Sequence, residues 1–151
     1  MSYASRLQAY KTSAVTTATP GHLVVMLYDG AIKFLNVALK GFESEDPLEL
    51  NLTVHTNLSK AQAVFRELRF ALDTEKGGEL ATNLAQLYDY FDRRLHAANM
   101  KKSREMVEEV HRHATGLRDA WRESVAKSTA QQATTPASTA EAASPSLSLL
   151  G

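Results

Sequence analysis

Along residues 23–40, LVVMLYDGAIKFLNVALK, polar side chains are few and fall on one side. Wound as an α-helix at about 100° per residue, Asp29, Lys33, Asn36 and Lys40 share one narrow stripe. The apolar sector then spans roughly 260° on that wheel. A surface helix needs little more than ~100°. The segment is predicted as a helix that starts at Thr19 (N-cap) and Pro20 (first helical position) and stops near Gly41. A second helix opens on DPLE, with Asp46 as cap, Pro47 at N1 and Glu49 in capping-box position. It runs to about Leu72, with Leu50, Val54, Leu58, Ala61, Phe65, Leu68 and Leu72 on one face.

Lys76-Gly77-Gly78 breaks the pattern, and a third helix follows from about Glu79 to Asn99, with Leu80, Leu84, Leu87, Phe91, Leu95 and Ala98 inward. The fourth spans about Ser103 to Lys127, its apolar stripe being Met106, Val107, Val110, Ala114, Leu117, Trp121 and Val125. Short links between long helices make neighbours antiparallel. The expected fold is all-α: an up-down-up-down four-helix bundle over 19–127. Residues 1–18 form a short N-terminal helical segment that caps it. The Ala/Ser/Thr/Pro-rich residues 128–151 form a disordered tail.

Charge narrows the partners. Lys+Arg and Asp+Glu number 17 each, and a neutral chain lacks the basic excess that nucleic acid or an anionic membrane requires. With no cysteine there is no disulfide framework and no thiolate nucleophile. The start, MSYASRLQAYKTS, lacks the apolar run of a secretion signal, and no apolar stretch approaches the ~20 residues of a membrane span. A cytoplasmic protein without membrane insertion is expected.

Candidate chemistry is sparse. Glu108-x-x-His111 has the spacing used in bundle di-iron sites, which need two such pairs and two further inward Glu. Only one pair exists here, beside Glu109 and Arg112, and it reads as a solvated face. His111 and His113, two apart, face away from each other on a helix, and His96 sits beside Arg93 and Arg94. No phosphate loop or nucleophile elbow is present. The expectation is no enzyme, no cofactor and no metal.

The surplus apolar surface is the informative feature. On helix one it extends beyond one core face. On helix two, Leu52, Ala63 and Phe70 lie off the main stripe. Such a surface seats an amphipathic segment, and large apolar patches rarely persist on monomers without a partner. The occupant could be another protein, a second copy or residues 1–18. Gly30 is expected to let a neighbour approach closely, Asp29 to pair with Lys33, and Tyr88 to pack beside Leu84 and Phe91.

VMLYDGAIKFLNVAL and KGGELATNLAQLYDYFDRRLHAANMK resemble the two hallmark stretches of the flagellar secretion chaperone FliS family. YASRLQAYKTSAVTTATPGHL is similar to that family's opening, and EEVHRHATGLRDAW to its last helix. The resemblance implies an antiparallel four-helix bundle that binds the disordered C-terminal segment of flagellin in apolar grooves. Binding would prevent premature polymerisation, and the loaded chaperone would dock on the cytoplasmic domain of the flagellar export gate. The helical wheels suggest Leu23, Met26, Leu27, Phe34 and Leu35 of helix one and Val64 and Phe70 of helix two as client contacts. Leu7 and Tyr10 match the family's pair that covers the groove. The ending PSLSLLG resembles flagellin termini. Leu147, Leu149 and Leu150 either dock in the groove as a stand-in for the client or are a chance cluster on the tail. The alternative function is a self-associating structural bundle whose apolar surplus is a homodimer interface.

Overall fold

Four helices make up residues 20–134, the part of the chain that this computed structural model describes: α1 Pro20–Gly41, α2 Pro47–Ala71, α3 Gly78–Lys101 and α4 Arg104–Thr134. No strand occurs among the described residues. The links, 42–46, 72–77 and 102–103, are too short to return a helix to its starting end, so successive helices run antiparallel. Each helix packs on two others: α1 and α3 both lie against α2 and α4, and face each other across the diagonal. This is the up-down-up-down bundle that the periodicity predicts. The expected N-terminal segment, with Thr19, lies outside the described residues.

Local chemistry sets the helix ends. The Asp46 carboxylate accepts from the Leu48 N–H at 3.0 Å, and Pro47 occupies the first turn, where its missing N–H costs nothing. The expected box between Asp46 and Glu49 closes through Ser44. That hydroxyl accepts from the Asp46 N–H at 3.2 Å and donates to Glu49 Oε2 at 3.2 Å. In the next link, Asp73 Oδ1 accepts from the N–H groups of Glu75 and Lys76 at 3.1 and 3.0 Å, an Asx turn that leads the chain into α3. Gly78 takes a φ of 59°, which side chains disfavour. At the far end, Lys102 closes α3 with a φ of 49°, and Ser103 Oγ accepts from the Met106 N–H at 3.3 Å to start α4.

The core follows the predicted stripes. Val54, Leu58, Ala61, Phe65 and Leu68 of α2 meet Leu84, Tyr88, Phe91, Leu95 and Ala98 of α3, with Val107, Val110, Ala114 and Trp121 from α4. Phe65 and Phe91 pack in a tilted pair, with ring centroids 5.1 Å apart and an interplanar angle of 58°. Tyr88 sits inside beside Phe91, as expected, and its hydroxyl hydrogen-bonds that of Tyr28 from α1, joining the two diagonal helices.

Several expectations need correction. Leu80 is 52% exposed, because the inward position in the first turn of α3 is taken by its neighbour Ala81, which is wholly buried. α4 continues seven residues past Lys127, to Thr134, because Trp121, Val125 and Ser128 extend its buried face. Asp29 pairs with Arg118 and Arg122 of α4 at 3.0 and 3.5 Å, in place of Lys33. α1 does have the length and apolarity of a membrane span, contrary to the sequence reading, but nearly half of it is buried in the bundle, as in a core helix.

The close helix approach lies at Gly41 and not at Gly30. A Cβ at Gly41 would stand 2.7 Å from Thr53 Cγ2 and 3.0 Å from Thr53 Cβ. One at Gly30 meets nothing within 4 Å among the described residues. Gly41→Ala therefore destabilises by about 1–3 kcal/mol through overpacking. Gly30→Ala stabilises by up to about 1 kcal/mol through helix propensity alone. Urea unfolding of the two variants gives opposite shifts in midpoint; shifts of the same sign would contradict the placement.

Candidate functional site

Contacts sort the faces of α1. Asp29 turns toward α4 through its two arginines. So does Asn36, whose Oδ1 accepts from His111 Nε2 at 2.8 Å. Phe34 turns toward α2, where the Lys60 ammonium stands 5.6 Å from its ring centroid, and Gly41 abuts Thr53 of the same helix. The stripe that remains faces outward along the α1–α2 seam. It carries Leu23, Met26, Gly30 and Phe34, all half-buried, and Val37, 40% exposed. Spacings of three and four residues keep these on one line about 21 Å long at 1.5 Å per residue. Val37 is not among the contacts predicted from the wheel, although it falls there between Met26 and Gly30.

The strip contains three of the seven predicted contacts. Leu27, Leu35 and Val64 are 6%, 0% and 2% exposed and belong to the core. Val24 and Tyr28, also within the apolar sector of α1, are buried too. Two neighbours cover more of α1 than the single-face argument allowed. Phe70 is 85% exposed. It lies at the bundle end where α1 begins, but on the outer face of α2, so the fold does not merge it with the strip. Leu48 and Leu52 are exposed farther along α2. Leu7, Tyr10, Leu147, Leu149 and Leu150 lie outside the described residues.

The other seams are fastened by polar groups. Across α2–α3, Arg66 reaches Asp92 at 3.1 Å and Arg69 reaches Asp89 at 2.7 Å. Across α3–α4, Arg94 and the Tyr90 hydroxyl both donate to Glu109. That bond from Tyr90 holds the Glu109 carboxyl below its ordinary range and raises the phenol. The hydrogen bond to Asp29 similarly strengthens the hold of Arg118 on its proton. These pairs are partly solvated, worth roughly 0–1 kcal/mol each.

Catalytic groups do not converge. Glu108 pairs with Arg104 at 3.1 Å, whereas His111 bonds Asn36, and burial lowers the pKa of its imidazole. His113 stacks on Phe91 with centroids 6.1 Å apart. No group of three or more His, Asp or Glu side chains is placed to hold a metal among the described residues.

An all-helical bundle whose distinctive surface is a half-buried apolar strip defines a protein-binding module. A family model described as "Flagellar protein FliS" matches residues 3–129. The Flagellar secretion chaperone FliS of Bacillus subtilis (strain 168) is 40% identical over 117 residues, covering 78% of this chain and 84% of that protein. The Salmonella typhimurium protein of the same name is 38% identical over 134 residues, covering 85% and 96%. That of Escherichia coli (strain K12) is 37% identical over 114 residues, covering 75% and 81%. The chain belongs to the FliS family, a family of chaperones of flagellum biogenesis and not of enzymes.

Proposed function

We propose that this chain binds the C-terminal segment of flagellin in the cytoplasm, holds it from premature polymerisation and presents it to the cytoplasmic domain of the flagellar export gate. The observation that carries the reading is the outward strip of Leu23, Met26, Phe34 and Val37, with Phe70 as a separate exposed anchor. A client segment that orders on binding loses about 2–5 kcal/mol or more of chain entropy. Apolar burial at ~25 cal/mol per Å² must exceed that loss, and a strip of several modest contacts supplies it without one contact too strong to release. Leu27, Leu35 and Val64 support the strip from beneath in this reading. Leu7 and Tyr10 cover the strip before the client arrives, and Leu147, Leu149 and Leu150 are a candidate stand-in for it.

Size-exclusion chromatography with light scattering, with and without a flagellin C-terminal peptide, tests this. A 1:1 complex is the expected result. A constant homodimer that ignores the peptide would replace the reading with the self-associating bundle.

A further inference from the structure

Between α2 and α3, on the side away from α1, lies an open cleft of about 550 Å³. Its lining includes His55, Ser59, Arg66, His96, Asn99 and Lys102, and no carboxylate. The nearest acid, Asp92, is already engaged: Gln62 Nε2 donates to its Oδ1 at 2.8 Å, and Arg66 donates to both its oxygens at 3.1 and 3.2 Å. Lys102, by contrast, has no carboxylate partner among the described residues. Its ammonium is held by Asn99 Oδ1.

That bond fixes more than the lysine. An ammonium only donates, so the Asn99 oxygen must face Lys102 and its NH₂ must face His55. Asn99 Nδ2 lies 2.8 Å from His55 Nδ1. The imidazole therefore accepts at Nδ1 and keeps its N–H at Nε2, directed away from Asn99. One amide thus ties together two donors, an ammonium from the end of α3 and an imidazole from α2. Lys102 also sits in the left-handed region with a φ of 49°, where glycine is favoured. A side chain retained there at a conformational cost points to use of its ammonium.

We infer that this cleft binds an acidic, extended segment of a protein partner, a carboxylate resting against Lys102 and His55. Charge complementarity carries the choice, since the lining holds Lys102 and Arg66 and no carboxylate. Length favours a peptide over a compact anion. From Asn51 to Arg66 the α2 wall runs about 22 Å at 1.5 Å per residue, room for six or seven extended residues at about 3.3 Å each. Met100, 74% exposed at the rim, adds an apolar contact. This surface lies apart from the α1–α2 strip, so it can fail or stand independently of flagellin binding.

Fluorescence anisotropy with a labelled alternating Gly-Glu decapeptide and its Gly-Gln counterpart is the test, on the full chain in 0.1 M salt. The Glu peptide is expected to bind roughly tenfold more tightly than the Gln peptide. Lys102→Gly should remove most of that preference while its thermal midpoint stays at or above the wild type, because glycine suits the backbone there. Lys102→Glu should weaken binding further. Lys76→Ala, which removes an equal charge elsewhere, should leave it unchanged. Equal binding of the two peptides overturns the proposal, as does equal loss in Lys76→Ala and Lys102→Gly. Citrate or phosphate competing as well as unlabelled Glu peptide at equal concentration also overturns it, leaving a small-anion pocket.

Discussion

A chain carrying Met26→Asp binds a flagellin C-terminal peptide roughly 30-fold or more weakly than the wild type, while melting within a few degrees of it. Met26 is half-buried on the outward strip, between Leu23 and Gly30, on the side of α1 opposite Tyr28. Full burial of such a side chain is worth about 1.5–3 kcal/mol, and covering the exposed half of Met26 under a client contributes about half of that. Asp loses that and adds the cost of covering a carboxylate with apolar groups. A net loss of about 2 kcal/mol already corresponds to some 30-fold in affinity. The free bundle loses only the helix-propensity difference, a few tenths of a kcal/mol. Met26→Leu should stay within about threefold, since volume and apolarity are kept. Leu35→Ala is the contrasting variant: Leu35 is wholly enclosed, and its truncation costs about 2–5 kcal/mol of stability whatever it does to binding. Titration calorimetry beside thermal melts separates the two behaviours. Wild-type affinity in Met26→Asp would place the client elsewhere.

What was legible in the sequence was what one helix determines alone. Caps, breakers and 3- and 4-residue spacings gave four helices with ends good to a few residues, and the placement of Tyr88. What was not legible depends on neighbours. A wheel of α1 shows an apolar sector but not how much of it two flanking helices will cover, which is why Leu27 and Leu35 were assigned to an open groove and Val37 was passed over. Asp29 had an obvious partner one turn away in Lys33. Its actual partners are 89 and 93 residues downstream, brought close only by antiparallel packing against α4. Gly30 drew attention because it interrupts an apolar run, yet the tight contact is at Gly41. The overrun of α4 has the same origin. Residues 128–134 have tail-like composition, but Ser128 lies two turns from Trp121 on the same face and is buried as Trp121 is. In the α2–α3 cleft, His55, His96 and Lys102 are scattered over 47 positions and carry no motif; only the fold puts them side by side.

Cross-helix ion pairs span the α1–α4, α2–α3 and α3–α4 seams, and along α1–α2 the outward strip is apolar, with Lys60 lying over Phe34. An amphipathic segment laid along that seam meets a surface of its own kind and displaces little bound water from charged groups.

The centre of the bundle predicts a steep loss of stability in alkali. Burial, and then the neighbouring Tyr88, push the Tyr28 hydroxyl far above its ordinary value of 10.0, and burial pushes Tyr88 up to about 12. Both groups keep their protons more firmly folded than unfolded. The stabilisation is therefore intact below pH 10, and it drains away above that as the unfolded chain ionises first. Each tyrosine contributes up to 1.36 kcal/mol per pH unit, so the pair approaches about 2.7 kcal/mol per unit between roughly pH 10.5 and 11.5. By pH 12 the loss reaches about 5 kcal/mol, a third or more of the roughly 5–15 kcal/mol that holds such a domain folded. Tyr88→Phe should halve the slope, whatever it costs at neutral pH. The contributions of Tyr90 (raised) and Lys102 (lowered) oppose one another and are common to both proteins. Urea unfolding at half-unit steps of pH, with tyrosinate absorbance followed in parallel, measures both slopes. Equal slopes in wild type and Tyr88→Phe would mean that the hydroxyl pair is not sealed from solvent at the point where α1 meets α3.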